Sequence, residues 1–388
     1  MSSSRPSRPV AYLDHGATSW PKPPVVVDAV VHALTDLGGN PGRGAYAMAL
    51  DASRAIFEAR RTCASVLGVP DPKNLLFQPS CTVGCNLMLK GVLRPGDRVV
   101  VGSTEHNAIV RPLAHLQRLG VEVAVVKADP VGLVDPDDIE RAVREAPTRA
   151  VVCQHASNVT GTVQLIGDLA DIAHEHGAVM LVDGAQGAGH LEIDIAALGV
   201  DAYATSGHKG MLGPQGIGLL YLAPDLDVDT QVEGGTGGSG SESTDMPAER
   251  PERYESGTAN TPGIAGLGAA AAFIAADGAA QRSREGQLVT RLHEGILELG
   301  GFRVLGPPPG APRVPVVSAV HESLDADRIA FALDRTYGIA VRAGLHCAPW
   351  AHETVGSLAT GAVRFGVGWG NTEEHVDLAV RALGEMAS

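Results

Sequence analysis

The chain has 388 residues, 48 of them glycine, with a formal charge of −14, and alternating apolar runs suggest an α/β enzyme. Its length fits a large domain plus a smaller one. The acidity argues against nonspecific binding of nucleic acid or an anionic membrane, either of which needs a basic face. No window approaches the roughly 20 consecutive apolar residues of a membrane span, and the polar start lacks a signal-peptide core, so the expectation is a soluble, cytoplasmic protein.

Residues 1–10, rich in Ser, Arg and Pro, read as a loose arm, within an N-terminal segment placed at 1–20. Pro21, Pro23 and Pro24 hold off a helix predicted over 25–37. The polar glycine loop 40–44 carries Arg43, which faces either an anionic ligand or solvent, and a long helix follows over 47–67. A short strand at 75–77 leads to Ser80, Cys81 and Thr82 at a helix start, where Ser80 and Thr82 can cap and free N–H groups suit a phosphate. Cys81 and Cys85 are four apart, but no second pair completes a zinc set, so buried thiols are expected and no metal. The five cysteines, at 63, 81, 85, 153 and 347, lack framework spacing, which favours reduced thiols.

Apolar runs at 98–102, 150–153 and 178–182 each end in polar residues: His106 after the first, the segment around Asn158 after the second, and Asp183 to Gln186 after the third. A fourth run, at 202–206, ends in the turn Ser206-Gly-His-Lys209 before re-entering a strand over 217–222. Ligands collect at the carboxyl ends of strands in parallel α/β sheets, so these four ends are expected to share one crevice. Lys209 on its glycine-rich turn has the setting of a Schiff-base nucleophile. The Gly- and Ser-rich stretch 233–257 is too polar for core. The composition changes at 262, taken as the start of the small domain, so that the large domain covers 21–261 and the small one 262–388. Helices are predicted from there to 299, strands near 302–305 and 314–320, a helix over 325–337, a strand at 362–368 carrying Arg364, and a closing helix over 372–386.

Five motifs in this order, Ser157-Asn-Val-Thr-Gly161, Val182-Asp-Gly-Ala-Gln186, Ser206-Gly-His-Lys209, Glu255-Ser-Gly-Thr-Ala-Asn-Thr261 and Arg342-Ala-Gly-Leu-His-Cys347, resemble the class V aminotransferases, in their cysteine desulfurase and selenocysteine lyase branch. The resemblance runs from about residue 12 to 385. It implies the type I fold of pyridoxal 5′-phosphate (PLP) transferases: a large domain with a mainly parallel seven-stranded sheet sandwiched by helices, and a smaller α+β C-terminal domain. It implies that Lys209 holds PLP, that Asp183 pairs with the pyridinium nitrogen, that Gln186 bonds the ring oxygen and that His106 stacks on the ring. Asn158 would sit near that edge and the substrate carboxylate. Phosphate contacts would come from the Cys81–Thr82 helix start, Ser206 and His208, with Thr258 supplied by the second subunit of a homodimer.

In the same way Arg364 resembles the carboxylate-binding arginine. Cys347 resembles the nucleophile that takes sulfur from L-cysteine, as a persulfide for delivery to an acceptor protein. Arg342 is the candidate cation beside that sulfur and His346 a candidate for proton transfer. Cys81 and Val83 replace the family's usual small or threonine residue and glutamate, and Asn107 stands where many members have a second histidine. A selenocysteine lyase, a C–S lyase or an aminotransferase is the alternative within the family. A non-catalytic scaffold is the alternative outside it.

Overall fold

The structure, a computed structural model, describes residues 10–42, 44–236 and 242–387. Arg43 therefore lies outside the described residues, as does the expected loose arm up to residue 9. Val10 already donates its N–H to the Gly338 carbonyl, and strand β1 (Ala11–Tyr12) continues that junction.

Helices α1 (Pro24–Thr35) and α2 (Ala47–Val66) precede a seven-stranded sheet. Its strands are β2 (Leu75–Gln78), β3 (Arg98–Gly102), β4 (Glu122–Val126), β5 (Ala150–Gln154), β6 (Val179–Asp183), β7 (Ala202–Ser206) and β8 (Gly218–Leu222), in the order β2-β8-β7-β6-β5-β3-β4. Only β8 runs antiparallel to its neighbours, so the sheet is mainly parallel, as the type I fold requires. The strands β5, β6 and β7 are almost wholly apolar and buried, because helices cover both faces. One face meets α3 (Cys81–Val92) and α4 (Asn107–Arg118) through Leu87, Met88, Ile109 and Leu113. The other meets α2, α5 (Pro136–Glu145) and α6 (Ile166–Glu175).

After a short helix α7 (Ile195–Leu198) and the β7–β8 hairpin, the long helix α8 (Thr261–Leu297) links two cores. Ile264, Leu267 and Ile274 pack under the large sheet, whereas Leu288, Leu292 and Ile296 pack in the second core. The composition change at 262 thus marks the start of one continuous helix that serves both. Among the described residues α8 alone is long and apolar enough to cross a bilayer, and its Ile264, Leu267, Ile274, Leu288, Leu292 and Ile296 are buried in these cores.

The second sheet is antiparallel, in the order β12-β13-β10-β9, with β9 (Phe302–Leu305), β10 (Val316–His321), β12 (Arg342–Gly344) and β13 (Ala362–Gly366). Strand β11 (Ile339–Ala340) pairs in parallel with β1, which brings the N-terminal segment to the second core. The helix predicted over 325–337 divides into α9 (Ala326–Ala332) and a π-helical turn (Leu333–Tyr337) that stops at Gly338, whose φ of 67° suits glycine. Helices α10 (Pro349–Thr354) and α11 (Glu373–Ala387) complete the chain.

Glu255 fastens the loop before α8 to the sheet edge. Its carboxylate accepts two bonds from Arg60, at 2.6 and 2.8 Å, and one from the Phe77 N–H at 2.6 Å. Arg60 also donates to the Leu75 carbonyl and lies 4.5 Å over the Phe77 ring. Removing one partner leaves a buried guanidinium uncompensated, so Glu255→Ala should cost about 3 kcal/mol of stability in urea unfolding. A loss below about 0.5 kcal/mol, the range of surface substitutions, would show that the pair does not fasten this loop.

Candidate active site

A cavity of about 220 Å³ lies at the carboxyl ends of β3, β5, β6 and β7. His106, Asn158, Asp183, Ser206, His208 and Lys209 all line it, so the four polar strand ends do converge on one crevice. Close backbone approach makes this possible. A Cβ at Gly184 would come within 2.1 Å of the Tyr203 ring, so only glycine lets the chain turn there directly after Asp183.

The side chains come from several strand ends, three of them from the end of β7 and the β7–β8 turn. Lys209 lies on the β7–β8 turn, where the Gly207 N–H bonds the Ile217 carbonyl. The His208 carbonyl accepts from the Ser19 N–H at 2.9 Å and Lys22 Nζ at 3.0 Å, fastening the N-terminal segment to that turn. Asp183 Oδ1 accepts from the Ala185 N–H at 2.9 Å and from Cys81 Sγ at 3.4 Å. Cys81 and Cys85 are buried free thiols with sulfurs 3.8 Å apart. With Asp183 they bring three ligand atoms within 4.8 Å of one another, one short of a tetrahedral zinc set. Ser80 caps α3 by accepting the Val83 N–H, while Thr82 stands inside the first turn. Ser80, Cys81 and Thr82 thus bring a helix N-terminus to the cavity wall, a setting suited to phosphate.

Burial controls the charges. It lowers the pKa of Lys209 below the usual lysine range, against the opposing pull of Asp183. It lowers His106 and His208 to about 4, so both rings are neutral near pH 7. His106 Nδ1 accepts the Ala108 N–H and caps α4.

The second sheet closes the cavity. Arg364, on β13, donates to Asp14 Oδ1 at 2.8 Å and to the Asn158 carbonyl at 3.2 Å. The Asn158 amide donates to the His346 carbonyl at 2.7 Å. His346 and Cys347 both adopt left-handed backbone, with φ of 51° and 58°, a sparsely populated conformation for such residues that clusters at functional sites. The exposed Cys347 sulfur lies 3.3 Å from Arg342 Nη2, and the Cys347 carbonyl accepts the Asn107 N–H at 2.8 Å.

The His346 ring is buried and both its nitrogens are engaged. Nε2 is 3.3 Å from the Arg342 carbonyl, which can only accept, so this nitrogen carries the proton. With the ring neutral, lowered by burial to about 2, Nδ1 accepts from His352 Nε2–H at 3.1 Å. His352 Nδ1 in turn accepts the Ser357 hydroxyl at 2.8 Å. This chain ties the cysteine loop to His352 and Ser357. His346, expected as a proton carrier for Cys347, thus has its ring nitrogens on Arg342 and His352 while its backbone neighbours the cysteine.

A class V aminotransferase model matches residues 11–379. The chain belongs to the class V aminotransferase family. It is 37% identical to a probable cysteine desulfurase of Methanothermobacter thermautotrophicus, across 97% of this chain and 94% of that protein. It is 32% identical to a cysteine desulfurase of Escherichia coli O127:H6, across 97% and 93%. The apo cysteine desulfurase of Thermococcus onnurineus NA1 superposes with a TM-score of 0.91 at 30% identity, covering 97% of this chain and 94% of that one.

This family uses PLP, and the cavity fits it. Among the described residues, Asn158 Oδ1, Gln186 Oε1, His208 Nδ1 and Arg364 Nε are buried without a hydrogen-bond partner. Leaving such groups unpaired costs about 1–3 kcal/mol each, a strong call for a polar ligand. Gln186 is held through its amide by the Gly16 carbonyl at 2.9 Å, which leaves its oxygen free to accept. Thr258 does not line this cavity; it lines a separate hollow with Arg60, Phe77 and Glu255.

Sequence reasoning missed Asp14, His352 and Ser357. Asp14 meets an arginine 350 residues away, and no local pattern announces it. His352 and Ser357 had a weak signal in being polar residues so close after Cys347.

Several histidines here are buried in the neutral form. Besides those above, burial lowers His352 and His155 to about 4 and His15 to about 3, against an ordinary 6.5. Above pH 6.5 folded and unfolded chains are both neutral at these rings and stability is complete; below it the unfolded chain takes up protons that the folded one refuses until about pH 4. Urea midpoints should therefore fall steadily as pH drops from about 6.5 towards 4. A midpoint that stays level across this window would contradict the neutral burial.

Proposed function

We propose that the chain is a PLP-dependent cysteine desulfurase in which Cys347 takes the sulfur of L-cysteine as a persulfide and the rest of the substrate leaves as L-alanine. One observation carries this reading. The cavity that holds Lys209 and the groove that holds Cys347 share Thr82, His106 and Ala108 on their walls, so a substrate seated over Lys209 presents its side chain towards Cys347.

When bound, PLP supplies an electron sink for the substrate Cα. Asp183, fixed by the Ala185 N–H, offers the anion that keeps the ring nitrogen protonated. Ser206, His208 and the α3 N-terminus offer donors to the phosphate. Arg364 and Asn158 take the substrate carboxylate, which fixes the direction of its side chain. Lys209, whose protonated form the surrounding walls disfavour, is the base for the Cα proton. Cys347, on an exposed loop fastened by Arg342, Asn107 and the His346–His352–Ser357 chain, then attacks the substrate sulfur.

Thr258 stands outside the cavity of its own chain, which supports the reading that it serves the cavity of a second copy in a homodimer. The persulfide is passed to a sulfur acceptor.

Product analysis with L-cysteine and a thiol tests this. The wild-type protein should form alanine, and Cys347→Ala should lose alanine formation by roughly a hundredfold or more while keeping the cofactor absorbance. Pyruvate and ammonia in place of alanine, or full alanine formation by Cys347→Ala, would overturn the assignment.

A further inference from the structure

The groove at Cys347 has a volume of about 350 Å³ and continues away from the Lys209 cavity. It runs between α3 and α4, and each helix gives it one row of side chains. Asn86 and Lys90 are four apart on α3, and Asn107, Arg111 and His115 are spaced by four on α4, so each row follows one helix face. The Cys347 carbonyl on the Asn107 N–H seats the cysteine at the start of the α4 row.

The charge of this groove runs against that of the molecule. The chain carries −14, yet no Asp or Glu lines the groove, and Lys90 and Arg111 stand in it with no acidic partner among the described residues. Lys90 lies near a helix C-terminus and would be favoured there by the helix dipole alone. Arg111 is in the middle of α4, where the dipole gives no reason for a cation. Two unpaired cations focused in a concave site raise the local concentration of anions.

We propose that this groove admits the sulfur acceptor and that the acceptor is a small anionic thiol, with Lys90 and Arg111 binding its negative group. The proposal rests on the desulfurase reading. In the transfer, the thiolate of the acceptor bonds to the outer sulfur of the Cys347 persulfide. The S–S bond to Cys347 breaks, its electron pair returns to Cys347 as the thiolate, and the acceptor leaves as a persulfide. Sulfur moves without an added oxidant or reductant, and Cys347 is ready for the next turnover.

Two thiols of similar reactivity, 2-mercaptoethanesulfonate and neutral 2-mercaptoethanol, separate charge from chemistry. Alanine formation at saturating L-cysteine is measured against the concentration of each thiol, for the wild-type holoenzyme and for the double variant Lys90→Glu with Arg111→Glu. The wild type should prefer the sulfonate in kcat/KM by roughly tenfold at low salt. That ratio should shrink towards one in about 0.5 M salt and fall below one in the double variant. A wild-type ratio near one, or a ratio that charge reversal leaves unchanged, would overturn the groove assignment while leaving the desulfurase reading intact. Absence of alanine from the wild type with either thiol would overturn both.

Discussion

The site depends on where one guanidinium is held. Arg364 comes from the second sheet, is 1% exposed, and reaches Asp14 of the N-terminal segment and the Asn158 carbonyl beyond β5. Three stretches of chain distant in sequence therefore meet on a single planar group. Gly16 lies flat against it, where a Cβ would be 3.2 Å from Cζ. A buried guanidinium is tolerated only when its donors are satisfied, and Nε is left over. The unused donor and the cavity beside it make a carboxylate the natural completion.

The same logic of incomplete satisfaction runs through the cavity. Asn158 and His208 in its wall, and Gln186 held on the lining Gly16, each keep one buried polar atom without a partner, and the amide N–H groups of Asn158 and Gln186 are fixed by backbone carbonyls. Such a set is preorganised, with groups aimed but not neutralised, which suits a polar cofactor and an amino-acid substrate. Cys347 is treated differently. Its loop takes left-handed backbone at His346 and Cys347, is fastened from behind through His346 and His352, and leaves the Cys347 sulfur exposed.

Much of this was legible in the residues. Strands β3, β5, β6 and β7 are near-continuous apolar runs with polar ends, and parallel-sheet geometry alone assembles those ends around Lys209. What stayed hidden is contact between segments with no shared periodicity. Strand β1 has only two residues and is recognisable only through its pairing with β11. Asp14 reads as a turn residue until Arg364 is seen beside it. His346 reads as an acid–base candidate from its place next to Cys347, and only the packing of His352 reveals that its nitrogens are occupied. The helix at 325–337 reads as continuous because composition does not announce a π turn.

The central claim is that Arg364, positioned by Asp14 and Asn158, anchors the substrate carboxylate and thereby sets the path from Lys209 to Cys347. Steady-state kinetics of Arg364→Lys with L-cysteine test it most directly, since lysine keeps the charge and loses the fork. The account predicts a KM for L-cysteine raised by roughly tenfold or more, with the cofactor absorbance retained. An unchanged KM in a variant that still binds its cofactor would contradict it.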